Sequence, residues 1–234
     1  MNSQLLVAGD EFLEELENLR KNHLKGGLLR PRSHYKTKEE IAESRRRYHR
    51  GGDNNHRFEG ERYLNCTDKA IRRKQLRKLI DEGGQTTVGG KTPSHPILAR
   101  WESEEFGLSD EEITRLEKED CSPEKLIVWG WRINMHRTSH WAVAIGSSLV
   151  GEGEKRIPEI RQRLLDNIKE LRKEYAEMGI KNLERALAFR IEHADVDIDH
   201  AELGADVVRR FINTPRLQDG MRRAFILTLH MNGY

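Results

Sequence analysis

Cysteine is nearly absent. Cys66 and Cys121 are the only two in 234 residues, too few for a disulfide framework or a Cys-rich zinc site. A reducing, cytoplasmic setting is therefore the default expectation. Nowhere does an apolar run reach the 18 residues of a membrane-spanning helix, so no membrane association is expected. The start of the chain, MNSQLLVAGDEFLEELENL, has neither a basic leader region nor a long apolar stretch, and it does not read as a signal peptide. Excess charge of one sign is missing too. Lys and Arg number 41 against 39 Asp and Glu, which argues against nucleic acid as the main partner. Aromatic residues make up only 6%, and strict apolar–polar alternation is scarce, which argues against a sheet protein.

What is present is charge, at 34%, interleaved with apolar residues at spacings of three and four. That pattern predicts an all-α fold, one helical bundle of about seven to eight helices spanning residues 1–234. Helices are expected over 10–24 and 36–50, the second opened by the Thr37–Glu40 capping box. A short one should end near Tyr63. Thr67–Glu82 should follow, with Leu76, Leu79 and Ile80 inward and Lys and Arg outward. Gly83–Ser94, rich in glycine, reads as a loop. Beyond it, helices are expected from Pro96 to about Phe106 and from Ser109 to about Glu119. Pro123–Leu149 reads as a long apolar helix at the centre. The last three run from Pro158 to about Met178, over Asn182–Phe211, and from Pro215 to about Leu229.

The chemistry concentrates in residues 190–202, RIEHADVDIDHAE. At about 100° per residue, His193, Asp197 and His200 fall within roughly 60° of one another on one helix face. Two imidazoles and a carboxylate on one stripe suit a first-row transition metal such as iron. An ordinary polar helix face is the competing reading. A two-metal centre needs further carboxylates from other helices. Glu82 ends its helix, His95 begins the next, and Glu154 precedes the turn to Pro158. Glu152 competes with Glu154, and the Glu-x-x-Ile-Pro spacing favours Glu154. His136 and His140 share a turn but lie among arginines. Arg100, Arg132 and Arg137 are candidates to pair a substrate carboxylate, with surface placement as the alternative for each.

Taken in order, Asp81-Glu82, His95 ahead of Leu98 and Trp101, Glu154-Lys-Arg-Ile-Pro158 and His193-xxx-Asp197-xx-His200 resemble the ligand set of the heme-oxygenase-like diiron oxidases. The segment from Thr67 to Ile113 also resembles the PqqC and TenA proteins, which share that fold. The resemblance covers about residues 65–205. It implies a heme-oxygenase-like helical bundle holding two iron ions, with O2 as co-substrate. In it Glu82, His95 and His200 would serve mainly one iron, His193 and Asp197 the other, and Glu154 would bridge. It further implies an oxidoreductase of specialised metabolism. The substrate would be a small amino acid or a derivative, remodelled at a C–C or C–N bond, including amino acid to nitrile. A homodimer is implied as well; Phe225, Ile226, Leu227 and Leu229 would form either its face or core, with core preferred. Glu82 and His95 lie thirteen residues apart, farther than in that family. The alternatives are a metal-free PqqC-like oxidase, a TenA-like hydrolase, or a non-catalytic interaction protein on the same scaffold.

Overall fold

The computed structural model describes residues 6–23, 37–53, 55–156 and 158–231, and within them all side chains except those of 154, 155 and 195–197. The described residues are helical, with one isolated bridge between Thr86 and Pro93 as their β-pairing. In chain order the helices are α1 (Gly9–His23), α2 (Lys38–His49), α3 (Asn55–Asn65), α4 (Lys69–Gly83), α5 (His95–Glu105), α6 (Asp110–Lys118) and α7 (Pro123–Thr138). They continue as α8 (Trp141–Gly146), α9 (Leu149–Glu152), a 3-10 turn (Gly153–Arg156), α10 (Pro158–Glu177), α11 (Leu183–Phe211) and α12 (Pro215–Met231). Among the described residues there are twelve α-helical segments, more than the expected seven or eight, and the Pro123–Leu149 stretch read as one helix is broken.

α11 is the organising element. It meets α1, α4, α5, α8, α9 and α10, and its two ends sit in different apolar cores. Its first turns place Ala186 and Leu187 beside Ile41, Phe106, Ile113, Leu116, Leu171 and Tyr175. Its last turns place Leu203, Val207 and Val208 beside Phe12, Leu16, Ile145, Leu149, Met221 and Phe225. The stretch between them, around residues 193–200, carries histidines. Burying two apolar ends anchors the helix, so the polar middle is held where apolar packing alone would not put it. On α12, Phe225 and Leu229 are fully buried in the second core, and only Leu227 of that stripe is exposed.

Two expectations are overturned here. Pro123–Leu149 is not one central helix. Ser139 is extended, and the His140 ring accepts the Ala142 N–H at 3.3 Å to start a new helix. α8 is buried throughout, whereas α7 leaves Leu126 54% and Ile127 64% exposed. α4 is also turned the other way from its apolar residues. Ile71, Gln75, Lys78, Asp81 and Glu82 face inward, while Leu76 is 40% and Ile80 38% exposed. An inward polar stripe costs desolvation unless every group is paired, and the pairings described next supply what apolar packing does not.

Candidate metal centre

α4 brings Glu82 in on the same face as Gln75 and Lys78, which are spaced three and four residues apart. The Asp68 side chain caps the helix start, accepting from Ala70 and Ile71 N–H at 2.9 Å. After α4 the chain makes a small hairpin. Thr87 N–H donates to the Thr92 carbonyl at 2.8 Å, and the glycines at its tip, Gly89 and Gly90, take positive φ values that other residues resist. Ser94 Oγ–H donates to the Gly84 carbonyl. Val88 N–H donates to Asp81 at 2.9 Å and Thr92 Oγ–H to Glu192 at 3.0 Å. This hairpin folds the thirteen-residue gap back on itself. His95, at the first turn of α5, lies with Nδ1 3.5 Å from Glu82 Oε2.

α11 supplies the imidazoles. His193 Nδ1–H donates to the Phe189 carbonyl at 2.9 Å, which assigns that proton and puts the ring's lone pair on Nε2. The His95 ring lies 4.1 Å from that of His193 and 6.4 Å from that of His200. His200 Nε2 is 3.7 Å from Asp81 Oδ2. Burial raises the Asp81 carboxyl pKa, but His200 and the Val88 N–H outweigh it and hold the group below the usual carboxylate range.

α9 supplies the remaining carboxylate. A Cβ on Gly204 would come within 2.9 Å of Ser148 Oγ and 3.1 Å of Leu149 Cγ, so glycine there lets α9 lie against α11 one turn beyond His200. Arg20, fully buried, donates to the Leu149 and Val150 carbonyls. It thereby satisfies orphan acceptors at the end of this short helix. Glu152 closes α9 and points into the bundle. Its carboxylate, that of Glu82 and the His200 ring each offer a ligand atom within 4.8 Å of the others.

Of the predicted ligands, Glu82, His95, His193 and His200 therefore converge. The side chains of Glu154 and Asp197 lie outside the described residues. Glu152, the competing choice two residues earlier, does reach the cluster. Behind it stands Lys78, whose Nζ donates to Glu152 Oε1 at 2.6 Å and Oε2 at 2.9 Å and lies 3.6 Å from Glu59 Oε1. Burial alone would depress the Lys78 pKa; Glu152 and Glu59 raise it above the ordinary lysine value. Glu59 also receives Arg62 and Gln75. Burial pushes its carboxyl up, and Arg62 and Lys78 bring it below the ordinary value. Sequence reasoning missed Lys78, Glu59 and Arg62. Gln75, Lys78 and Glu82 do share a helix face, but Leu76, Leu79 and Ile80 at helical spacing outweighed that signal.

A cavity of about 240 Å³ opens at this cluster, lined by Glu82, Glu152 and His193 together with Phe58, Arg132 and His136. The Arg132 guanidinium stacks over Phe58 at 5.3 Å. Arg100 is instead spent on Glu117 and Asp110, and Arg137 on Glu61. Burial, with Arg62, Arg132 and Lys78 nearby, pushes His136 well below the usual histidine pKa, so it is a neutral imidazole. His140 caps α8, and Trp141 packs on Phe211 in the core. Neither Cys66, whose thiol donates to the Asp68 carbonyl, nor Cys121 lines the cavity. No family model matches the chain, and no curated protein matches it at significance.

Proposed function

We propose that the chain is an O2-using non-heme diiron oxidoreductase of the heme-oxygenase-like kind, acting on a small amino acid or derivative. The observation that carries this reading is the convergence of Glu82, Glu152 and His200 within 4.8 Å, with His95 and His193 beside them in the bundle interior. The donor chemistry fits. Imidazole nitrogens and carboxylate oxygens, without thiolates, suit iron or manganese. The charge fits as well. Glu59, Asp81, Glu82 and Glu152 bring four carboxylates to one neighbourhood, against the permanent cations Lys78 and Arg62 among the described residues. Bound cations would offset the surplus.

In this reading Glu82, Glu152, His95, His193 and His200 would hold the metal, and a bound diiron pair would supply the redox chemistry that activates O2. The rest is done by the chain. Phe189 and Asp81 orient the ligating imidazoles. The two apolar cores keep water from the interior of α11. Of the three candidate arginines, Arg132, stacked over Phe58, is the one that lines the cavity. A neutral His136 beside it offers a hydrogen-bond partner without adding charge. The absence of a cysteine from the described cavity lining favours this reading over a TenA-like hydrolase.

The test is an anaerobic Fe(II) titration of metal-depleted protein, followed by O2 in the presence of a panel of amino acids. About two ions per chain and substrate-dependent O2 consumption are expected. Failure to bind iron stoichiometrically would overturn the proposal.

A further inference from the structure

We infer that Lys78 is a built-in counter-cation of this centre, holding Glu152 when no metal is bound and shifting to Glu59 when a metal loads. The inference rests on the metal-binding reading above and adds a device that controls it. Lys78 lies one helical turn before Glu82 on the inward stripe of α4 and is only 2% exposed. A buried ammonium is tolerated only when paired. Its pairing is with a residue of the converging triad: Nζ sits on both oxygens of Glu152, at 2.6 and 2.9 Å. A carboxylate held on both oxygens by an ammonium has less charge to offer a metal. An ion bound there would also meet Nζ as a like charge across a few ångströms of low-dielectric interior. Metal and lysine therefore compete for Glu152.

The structure also provides the place for Lys78 to go. Glu59 Oε1 is already 3.6 Å from Nζ, and Glu59 is fixed by Arg62 and Gln75. The ammonium can shift from one carboxylate to the other without leaving the interior. Lysine suits such a role, being a compact charge on a flexible stem, whereas a guanidinium fork would lock a single geometry.

The experiment measures Mn(II) binding to the metal-depleted full-length chain, following the free ion by electron paramagnetic resonance, with thermal unfolding in parallel. Lys78→Met is expected to bind Mn(II) about tenfold tighter than the unaltered protein, and Glu59→Gln about tenfold more weakly, since the lysine then stays on Glu152. In the double variant the Glu59 effect should vanish, because the group it acts through is gone. Metal-free Lys78→Met should melt lower than the unaltered chain yet gain more on adding Mn(II). If it does not fold without metal, Lys78→Gln, which keeps a hydrogen-bond donor without the charge, makes the same comparison. A merely structural lysine predicts weaker binding in the lysine variants and additive effects in the double variant; either result overturns the inference. Absence of Mn(II) and Fe(II) binding by every folded form, the unaltered chain included, would instead bring down the metal reading itself, and this inference with it.

Discussion

Two carboxylates, Glu102 on α5 and Glu152 on α9, are treated in opposite ways. Glu102 is fully buried and is closed by arginine, with Arg45 Nη2 at 3.1 Å and Arg190 Nε at 3.3 Å. Around Glu152 the balance reverses. The cation in contact is a lysine, and the ligand atoms within 4.8 Å are those of a second carboxylate, Glu82, and a histidine, His200. Guanidinium keeps its proton and presents a rigid fork, so Arg45 and Arg190, both on Glu102 Oε1, tie α2, α5 and α11 together. Lysine and histidine can move or change partner, so the Glu152 cluster stays open to an added cation. On the proposed reading, the contrast separates a carboxylate placed for architecture from one placed for chemistry.

The sharpest way to break the comparison is Glu102→Gln. Removing the carboxylate strands Arg45 in the interior, and breaking such a pair typically costs about 3 kcal/mol or more. Urea unfolding should show that loss, while Mn(II) affinity stays where it was in whatever fraction is folded. Equal stability would mean that the Glu102 cluster is as dispensable as a surface ion pair, and the distinction would collapse. Glu82→Gln should do the reverse. It removes one negative charge from a surplus, so the metal-free protein should change by less than about 1 kcal/mol. Metal affinity should fall by at least the ~100-fold that loss of an outer-shell partner can cause. Unchanged metal binding in this variant would remove Glu82 from the centre.

How much of this was legible in the sequence differs between the helices. α11 announces itself: His193 and His200 fall on one face by arithmetic alone, and the structure sets them in one cluster. The pairing of Glu82 with His95 was legible as two residues but not as a contact. The contact depends on a hairpin tied by Thr87, Thr92, Ser94 and Asp81, and side-chain ties across a loop leave no periodic trace. Glu152, the competing choice beside Glu154, reaches the cluster because of where a four-residue helix ends and because Gly204 lets that helix approach, and a spacing motif carries neither. Lys78 was read as part of an outward basic face, since lysine is rarely buried. Apolar periodicity reports where burial is driven by the hydrophobic effect, and it misleads where burial is held by paired charges.

The arginine-closed end carries a histidine whose behaviour sharpens the contrast further. His49 rests against Ser103 Oγ at 2.8 Å. Burial, with Arg100 and Arg45 adding to it against the opposing pull of Glu117, lowers its pKa from 6.5 to about 4. The unfolded chain therefore binds more protons than the folded one between those values. Stability contributed by neutral His49 is fully present above pH 6.5 and is lost as pH falls through that window toward about 4. The loss should approach about 2 kcal/mol once partial solvent screening is allowed for. His49→Gln should flatten the slope of unfolding free energy against pH in this window. A variant that retains the full slope would show that His49 is not the group responsible.

The smallest expected effect tests the facing of α4, on which both the centre and the role of Lys78 depend. The apolar pattern puts Leu76 and Ile80 in the core, and a buried leucine cut to alanine costs about 2–5 kcal/mol. In the structure both are more than a third exposed, and exposed positions away from special features respond within about 0.5 kcal/mol. Leu76→Gln and Ile80→Gln, measured by urea unfolding, should therefore be close to neutral and leave Mn(II) affinity unchanged. Ile71→Ala, at the fully buried start of the same stripe, should cost several times more. If the order is reversed, α4 turns its apolar face inward after all, Lys78 points to solvent, and Glu82 is carried away from His95 and His200. If the order holds, α4 keeps two large apolar side chains more than a third exposed while a lysine and a glutamate face inward, which is the facing that the proposed centre requires.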